Sequence, residues 1–160
     1  QSCRDDTMAK LGRGHTFGDF IRAARLAAAA GLEVIAHIML GLPGETLEDN
    51  ENTIRSITDL PLQGVKFHHL QILKDTRLAA WHQEGTVSCD TVEAYLDKLI
   101  SCLELLPPTM VVHRLKADAE PRLLIAPLWQ VSAAEFASCL ASRMQERNTW
   151  QGRRWQGGAA

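Results

Sequence analysis

The run from Val34 to Leu40, aliphatic or small but for His37, rises out of a glycine helix stop at Gly31 and passes directly into Gly41-Leu42-Pro43-Gly44-Glu45. A short apolar run bounded by turn residues reads as a buried strand, and such strands belong to parallel sheets covered by helices. Helical patterns flank it on both sides, so the local unit is helix, strand, glycine loop, helix. In folds built from that unit, ligands bind at the carboxyl ends of the strands. The loop Gly41 to Glu45 falls at that end.

The rest of the chain supports an α/β reading. Thr16 with Asp19 forms a capping-box pattern, followed by Phe20, Ile21, Ala24, Ala27 and Ala28 at helical spacing. Thr46 with Asp49 repeats it ahead of Leu47, Ile54, Ile57 and Leu60, and Pro61 closes that helix. Gly64 opens a second strand, Val65 to Leu73, and a short helix follows from Arg77 to Glu84. Two strands joined by a helix imply parallel pairing. Asp90 with Glu93 reads as a further box, leading into Val92, Tyr95, Leu96, Leu99, Ile100, Leu103 and Leu106, stopped by Pro107-Pro108. Met110 to Leu115 reads as a third strand, Leu123 to Trp129 as an apolar segment of no assigned type, and Ser132 with Glu135 as the start of a last helix. Residues 1–15 read as irregular, and 148–160 as a mobile tail. The expected organisation is one unit over 1–130 and a C-terminal helix with its tail over 131–160.

At 160 residues with 46% apolar content, the chain is long enough for one hydrophobic core. A formal charge of -2 and a pI near 6.3 leave no basic footprint that would demand a polyanionic partner. No apolar run approaches the ~20 residues of a membrane span, and no basic-then-apolar leader opens the chain, which reads as cytoplasmic. Cys3, Cys89, Cys102 and Cys139 are far apart with no CxxC pair, the pattern of isolated reduced thiols rather than of a metal or disulfide framework.

Strand periodicity selects the side chains that share a face. Ile35, His37, Met39 and Gly41 lie together, as do Lys66, His68, Leu70 and Ile72. His68 and His69 point to opposite sides, so the pair is a poor single-metal site, and no metal ligands are assigned. For His37 and His68, hydrogen-bonded core histidines are the alternative to site residues. Arg114, with Asp118 beyond it, is either a structural ion pair or a substrate contact. Gly41, Pro43 and Gly44 make either a plain turn or a loop whose backbone approaches a ligand.

Five segments occur in fixed order: QSCRDDTMAKLGRGH, HIMLGLPGE, VKFHHLQILKDT, HRLKAD and LLIAPLW. Together, over residues 1–130, they resemble the radical S-adenosylmethionine superfamily, in the branch related to the catalytic subunit of Elongator and most closely the YhcC-type proteins. Departures are Gly12 where that family tends to have Asn, Gln71 at a position often His, and Asp75 where Gly is usual. The resemblance implies a partial (β/α)6 TIM-like barrel of which this chain is the second half, with Gln1-Ser2 at the end of the fourth strand. It implies a [4Fe-4S] cluster that cleaves S-adenosylmethionine. The family's Cys-x3-Cys-x2-Cys loop is not in this sequence, so the cluster is expected on an N-terminal half of the barrel that partners this chain. By the same resemblance, Met39, Gly41, Gly44, Glu45, Ile72 and Leu73 face the cofactor's adenosine, and His37, Lys66, His68 and Arg114 line the substrate cavity. The expected function is therefore part of a radical enzyme, inactive alone. Two alternatives stand beside it: a tRNA-interaction module using Arg147, Trp150, Arg153, Arg154 and Trp155, and a non-catalytic α/β scaffold.

Overall fold

Stretches of helical and strand period alternate along the chain, and the computed structural model, which describes residues 1–157, turns them into helices and strands in the same order. These are α1 (Asp5–Lys10), α2 (Phe17–Ala29), β1 (Ile35–Leu40), α3 (Leu47–Ile57), β2 (Gly64–His69), β3 (Ile72–Leu73), α4 (Arg77–Gln83), α5 (Val92–Leu105), β4 (Val111–Arg114), β5 (Leu124–Ala126) and α6 (Ala133–Glu146). Complete capping boxes at Thr16/Asp19, Thr46/Asp49 and Ser132/Glu135 start α2, α3 and α6 where the sequence pattern sets them.

β1, β2 and β4 form a parallel sheet with β2 in the middle. Ile35 pairs with Gly64 and Leu40 with His69, so β1 and β2 stay in step over their whole length. The pleat then divides the residues by chemistry. Ala36, Ile38, Leu40, Val65 and Phe67 join one apolar cluster with Ile54 and Ile57 of α3, Tyr95, Leu96, Leu99, Ile100 and Leu103 of α5, and Phe136 of α6. Each Val, Leu, Ile or Phe among them contributes about 1.5–3 kcal/mol when fully buried, which makes this helix-covered face the anchor of the sheet. The opposite face carries Ile35, His37, Met39, Lys66 and His68, all half-buried or exposed.

Several elements differ from the sequence expectation. The N-terminal stretch is not wholly irregular, because α1 buries Met8 and Thr7. The second strand does not run on to Leu73. Its partner β1 ends at Leu40, just before Gly41, the parallel ladder stops once Leu70 N–H reaches Leu40 O at 3.1 Å, and β3 turns away to pair antiparallel with β5. Leu70 and Ile72 therefore leave the face of Lys66 and His68 and bury with Met8, Leu42, Ala79 and Val87 in a second apolar cluster. The previously unassigned apolar segment supplies β5. Asp75 takes φ +60°, a left-handed conformation that Asp tolerates, at the position where the resemblance expects glycine.

The start of α5 is capped by Thr91, whose side chain accepts from Ala94 N–H, and not by Asp90. Nor is the expected tail free of structure up to residue 157. Gln151 Nε2 donates to Pro107 O and Met110 O, Gly152 N–H to Leu103 O, and Arg154 to Glu51. The Gly152 bond reaches a carbonyl in the last turn of α5, and the Gln151 bonds hold the turn that follows it. The last residues of that expected tail, 158–160, lie outside the described residues. Among the described residues no helix is long and apolar enough to cross a membrane.

Candidate functional site

Gly41 leaves the carboxyl end of β1 at φ +80° and Gly44 follows at +83°, conformations that glycine enters without the cost a Cβ imposes. Leu42 is buried as an anchor, Pro43 is half-buried and Gly44 is exposed. Glu45 closes the loop from below. Its carboxyl group accepts from Ser2 Oγ at 2.5 Å and from Asn50 Nδ2 at 3.1 Å, and burial raises its pKa above the usual carboxylate range. The loop is thereby fixed to residues that precede α1. Met39 is half-buried beside it, and Met39 N–H donates to Gln1 O at 3.0 Å, so residue 1 lies along the outer edge of β1. Of the remaining expected cofactor contacts, Leu73 is half-buried in β3, while the Ile72 side chain is fully enclosed in the second apolar cluster.

A brace that sequence reasoning missed backs this loop. Asp90 packs against Gly41, and Lys98 of α5 holds its carboxylate at 2.7 and 2.8 Å. Asp90 O also accepts from Trp129 Nε1 at 3.2 Å, and Cys89 Sγ donates to Leu70 O. No local spacing announces such a brace, because it depends on α5 returning over the end of β1.

The open face of the sheet brings together His37, Lys66, His68 and Arg114. Parallel pairing puts His37 beside Lys66 and Lys66 beside Arg114, although the register shifts between Val65 and Lys66. The rings of His37 and His68 meet edge to face with centroids 3.9 Å apart. Arg114 Nη1 lies 2.9 Å from His68 Nε2. A guanidinium can only donate, so His68 Nε2 accepts and the ring proton sits on Nδ1. His68 is pushed down to about 4, by burial first and then by His37, Arg114, His69 and Lys66. His37 is lowered by burial and then by the nearby cations Arg114, Lys66 and Arg13. His69, on the other side of the strand, instead stacks on Trp129 with centroids 4.1 Å apart and is a core group.

Of the two alternatives for Arg114, the ion pair with Asp118 does not form. Asp118 extends into solvent and pairs with Lys116, leaving Arg114 to His68. The basic residues after α6 are also engaged within the chain: Arg147 with Asp97, Arg154 with Glu51 and Glu104, and Arg153 over the Trp150 ring at 5.4 Å. Among the described residues, no group of three histidine, cysteine or acidic side chains is placed to hold a metal ion. Cys3 and Cys89 are half-buried, Cys102 is buried in α5, and Cys139 is exposed on α6.

Comparison with known proteins bears on this arrangement. Residues 62–146 match the model of the Radical SAM C-terminal domain, and residues 1–57 match that of the Radical SAM superfamily. The chain is 29% identical over 156 residues to the protein YtqA of Bacillus subtilis (strain 168), which covers 98% of this chain and 48% of that protein. It is 32% identical over 129 residues to the protein YhcC of Escherichia coli (strain K12), covering 81% of this chain and 42% of that one. Elongator complex protein 3 of Dictyostelium discoideum is 26% identical over 152 residues, 93% of this chain and 27% of its own length. Among solved structures, the archaeal Methanocaldococcus infernus Elp3 with an N-terminal deletion superposes at a TM-score of 0.83 over 94% of this chain and 35% of that one. At 19% identity that likeness speaks for the fold alone. The chain spans less than half the length of these curated relatives.

Proposed function

We propose a function from one premise: this chain belongs to the radical S-adenosylmethionine superfamily, whose C-terminal-domain model matches it over residues 62–146. The reading is that it forms the part of such an enzyme which holds the adenosine side of S-adenosylmethionine and one wall of the substrate cavity. Family members pair that cofactor with a [4Fe-4S] cluster, which supplies an electron to cleave it and begin radical chemistry. The thiols present here do not fit the cluster. Cys3 precedes α1, Cys89 lies between α4 and α5, Cys102 is enclosed in α5 and Cys139 is on α6, whereas three thiolates must converge on one cluster. In this reading the cluster belongs to another part of the complete protein.

The observation that carries the reading is the loop Gly41 to Glu45. It stands at the carboxyl end of a parallel strand, the position where ligands bind in sheets of this kind. Its two left-handed glycines bring backbone without a Cβ to this loop, which Glu45 ties to Ser2 and Asp90 packs against at Gly41. Backbone N–H and C=O groups there can hydrogen-bond a purine edge or a ribose. Met39 and Leu73 offer apolar surface for the ring, and Ile72 supports them from within the core. Glu45 acts through its bonds to Ser2 and Asn50, so it shapes the loop rather than reaching the ligand.

Equilibrium dialysis of the full-length protein against S-adenosylmethionine tests the reading, with Gly44→Val as the variant that fills the open side of the loop. Saturable binding, weakened at least tenfold by the variant, is expected. An absence of saturable binding to the wild-type protein would overturn the proposal.

A further inference from the structure

We infer that Lys66, Arg114, His37 and His68 form a receptor for a doubly negative oxyanion group carried by the substrate, such as a phosphate monoester or paired carboxylates. This deepens the reading of the sheet's open face as a cavity wall and rests on it. Three observations lead there.

First, two basic side chains rise from paired positions of the sheet. Lys66 and Arg114 are register partners on adjacent strands, which run about 4.8 Å apart. Like charges so placed repel unless an anion lies between them. Secondly, no carboxylate among the described residues pairs with either one. The acids that sequence spacing offers are committed elsewhere, Glu45 to Ser2 and Asn50, and Asp118 to Lys116. The charged side chains acting on His37 are Arg114, Lys66 and Arg13, all cationic. Thirdly, the site is preorganised. Arg114 is oriented by its bond to His68 Nε2, and that bond leaves His68 with its donor at Nδ1. His37 packs edge to face on the same ring. That bond uses one of the five guanidinium N–H donors of Arg114 and leaves the others for an oxyanion.

Charge separates the substrate from the cofactor. The methionyl end of S-adenosylmethionine carries an α-carboxylate between an α-ammonium and a sulfonium, and is cationic overall. Its ammonium is best met by a carboxylate, and none of these four side chains is one. A dianion matches two cations, and Arg114 gives it a planar fork suited to phosphate or carboxylate. His68 is the positioning residue for Arg114.

The test titrates the full-length protein with inorganic phosphate, and separately with acetate, following the His37 and His68 ring C–H resonances. Phosphate should bind at least tenfold more tightly than acetate. Lys66→Met and Arg114→Gln should each weaken phosphate at least tenfold with unchanged melting temperature, and Lys66→Arg should restore most of the loss. A second titration with S-adenosylmethionine present separates the two readings, because independent binding of both ligands is expected. Competition between them would assign the cations to the cofactor and overturn the substrate proposal, as would phosphate binding that ignores both substitutions. Failure of S-adenosylmethionine to bind while phosphate binds would instead remove the cofactor reading and leave the oxyanion site intact.

Discussion

A Cβ placed on Gly41 would stand 2.6 Å from Asp90 Oδ2, at a residue whose φ of +80° already disfavours any side chain. Two separable costs follow for Gly41→Ala. The left-handed backbone contributes roughly 1–2 kcal/mol, and the contact with a carboxylate pinned by Lys98 adds to it. Equilibrium denaturation should therefore show a loss of about 2 kcal/mol or more. Combining Gly41→Ala with Asp90→Gly should recover the contact but not the strain, giving a coupling of about 0.5–3 kcal/mol. Strict additivity would mean that Asp90 does not press on the loop.

Glu45 ties the same loop to the start of the chain through Ser2 and Asn50, both almost fully buried. Glu45→Ala leaves the Ser2 hydroxyl and the Asn50 amide without their acceptor, a loss of about 1–3 kcal/mol for a buried group left unpaired. The effect should be local. Hydrogen exchange of the Met39 amide, bonded to Gln1 O, should accelerate, while amides in the middle of α5 keep their protection. Uniform loss of protection across the chain would argue for a global role instead.

Two histidines set the acid limb of stability. His68 and His69 are both pushed down to about 4, chiefly by burial, against roughly 6.5 in an unfolded chain. The folded state thus binds fewer protons than the unfolded one between those values. Stability from these groups is complete above about pH 6.5 and is lost as pH falls towards 4. Glu45 works in the opposite sense, since its raised pKa favours the folded state on protonation. Urea midpoints at pH 7 and pH 4.5 should differ, and His69→Phe, which keeps an aromatic ring against Trp129, should reduce the difference. An acid slope identical in wild type and variant would exclude His69 as its source.

What was legible in the chain is what local chemistry decides. Three capping boxes formed because each needs only a hydroxyl and an acid three residues apart. The grouping of His37, Lys66, His68 and Arg114 followed from period two and parallel pairing, and the barrel-type fold from five motifs in order. Choices between equally good local partners were not legible. Asp90 and Thr91 are both capable caps, and Thr91 won because Asp90 is drawn to Lys98. Arg114 had Asp118 within reach along the chain, yet the sheet set it against His68 and left Asp118 to Lys116. The end of β2 was set by its partner's glycine, and β5 by the free edge of β3, neither of which is written in the segment itself.

The segment after α6 gives the last prediction, because its composition suggests a loose end and its bonds do not. An α-helix leaves its final carbonyls without internal partners, and here Gly152 N–H takes Leu103 O at 3.1 Å while Arg154 N–H takes Glu104 O at 2.8 Å. Gln151 Nε2 spans Pro107 O and Met110 O at 2.8 Å each, fixing the Pro107-Pro108 turn that leads into β4. Arg154 adds ion pairs to Glu51 of α3, which Arg55 also holds. Gln151→Ala should cost about 1–3 kcal/mol, since Met110 O loses this donor, while Pro107 O keeps Met110 N–H. Arg154→Ala should cost at most about 1 kcal/mol, because the pair is partly exposed and Glu51 keeps Arg55. Gly152→Ala should exceed the arginine change, as a Cβ there would meet Pro108 Cγ at 2.6 Å with φ at +85°. Denaturation midpoints rank the three, and exchange of the Leu106 and Met110 amides reports whether the loss is confined to this turn. Equal, negligible effects from all three substitutions would return the segment to the status of a passive end.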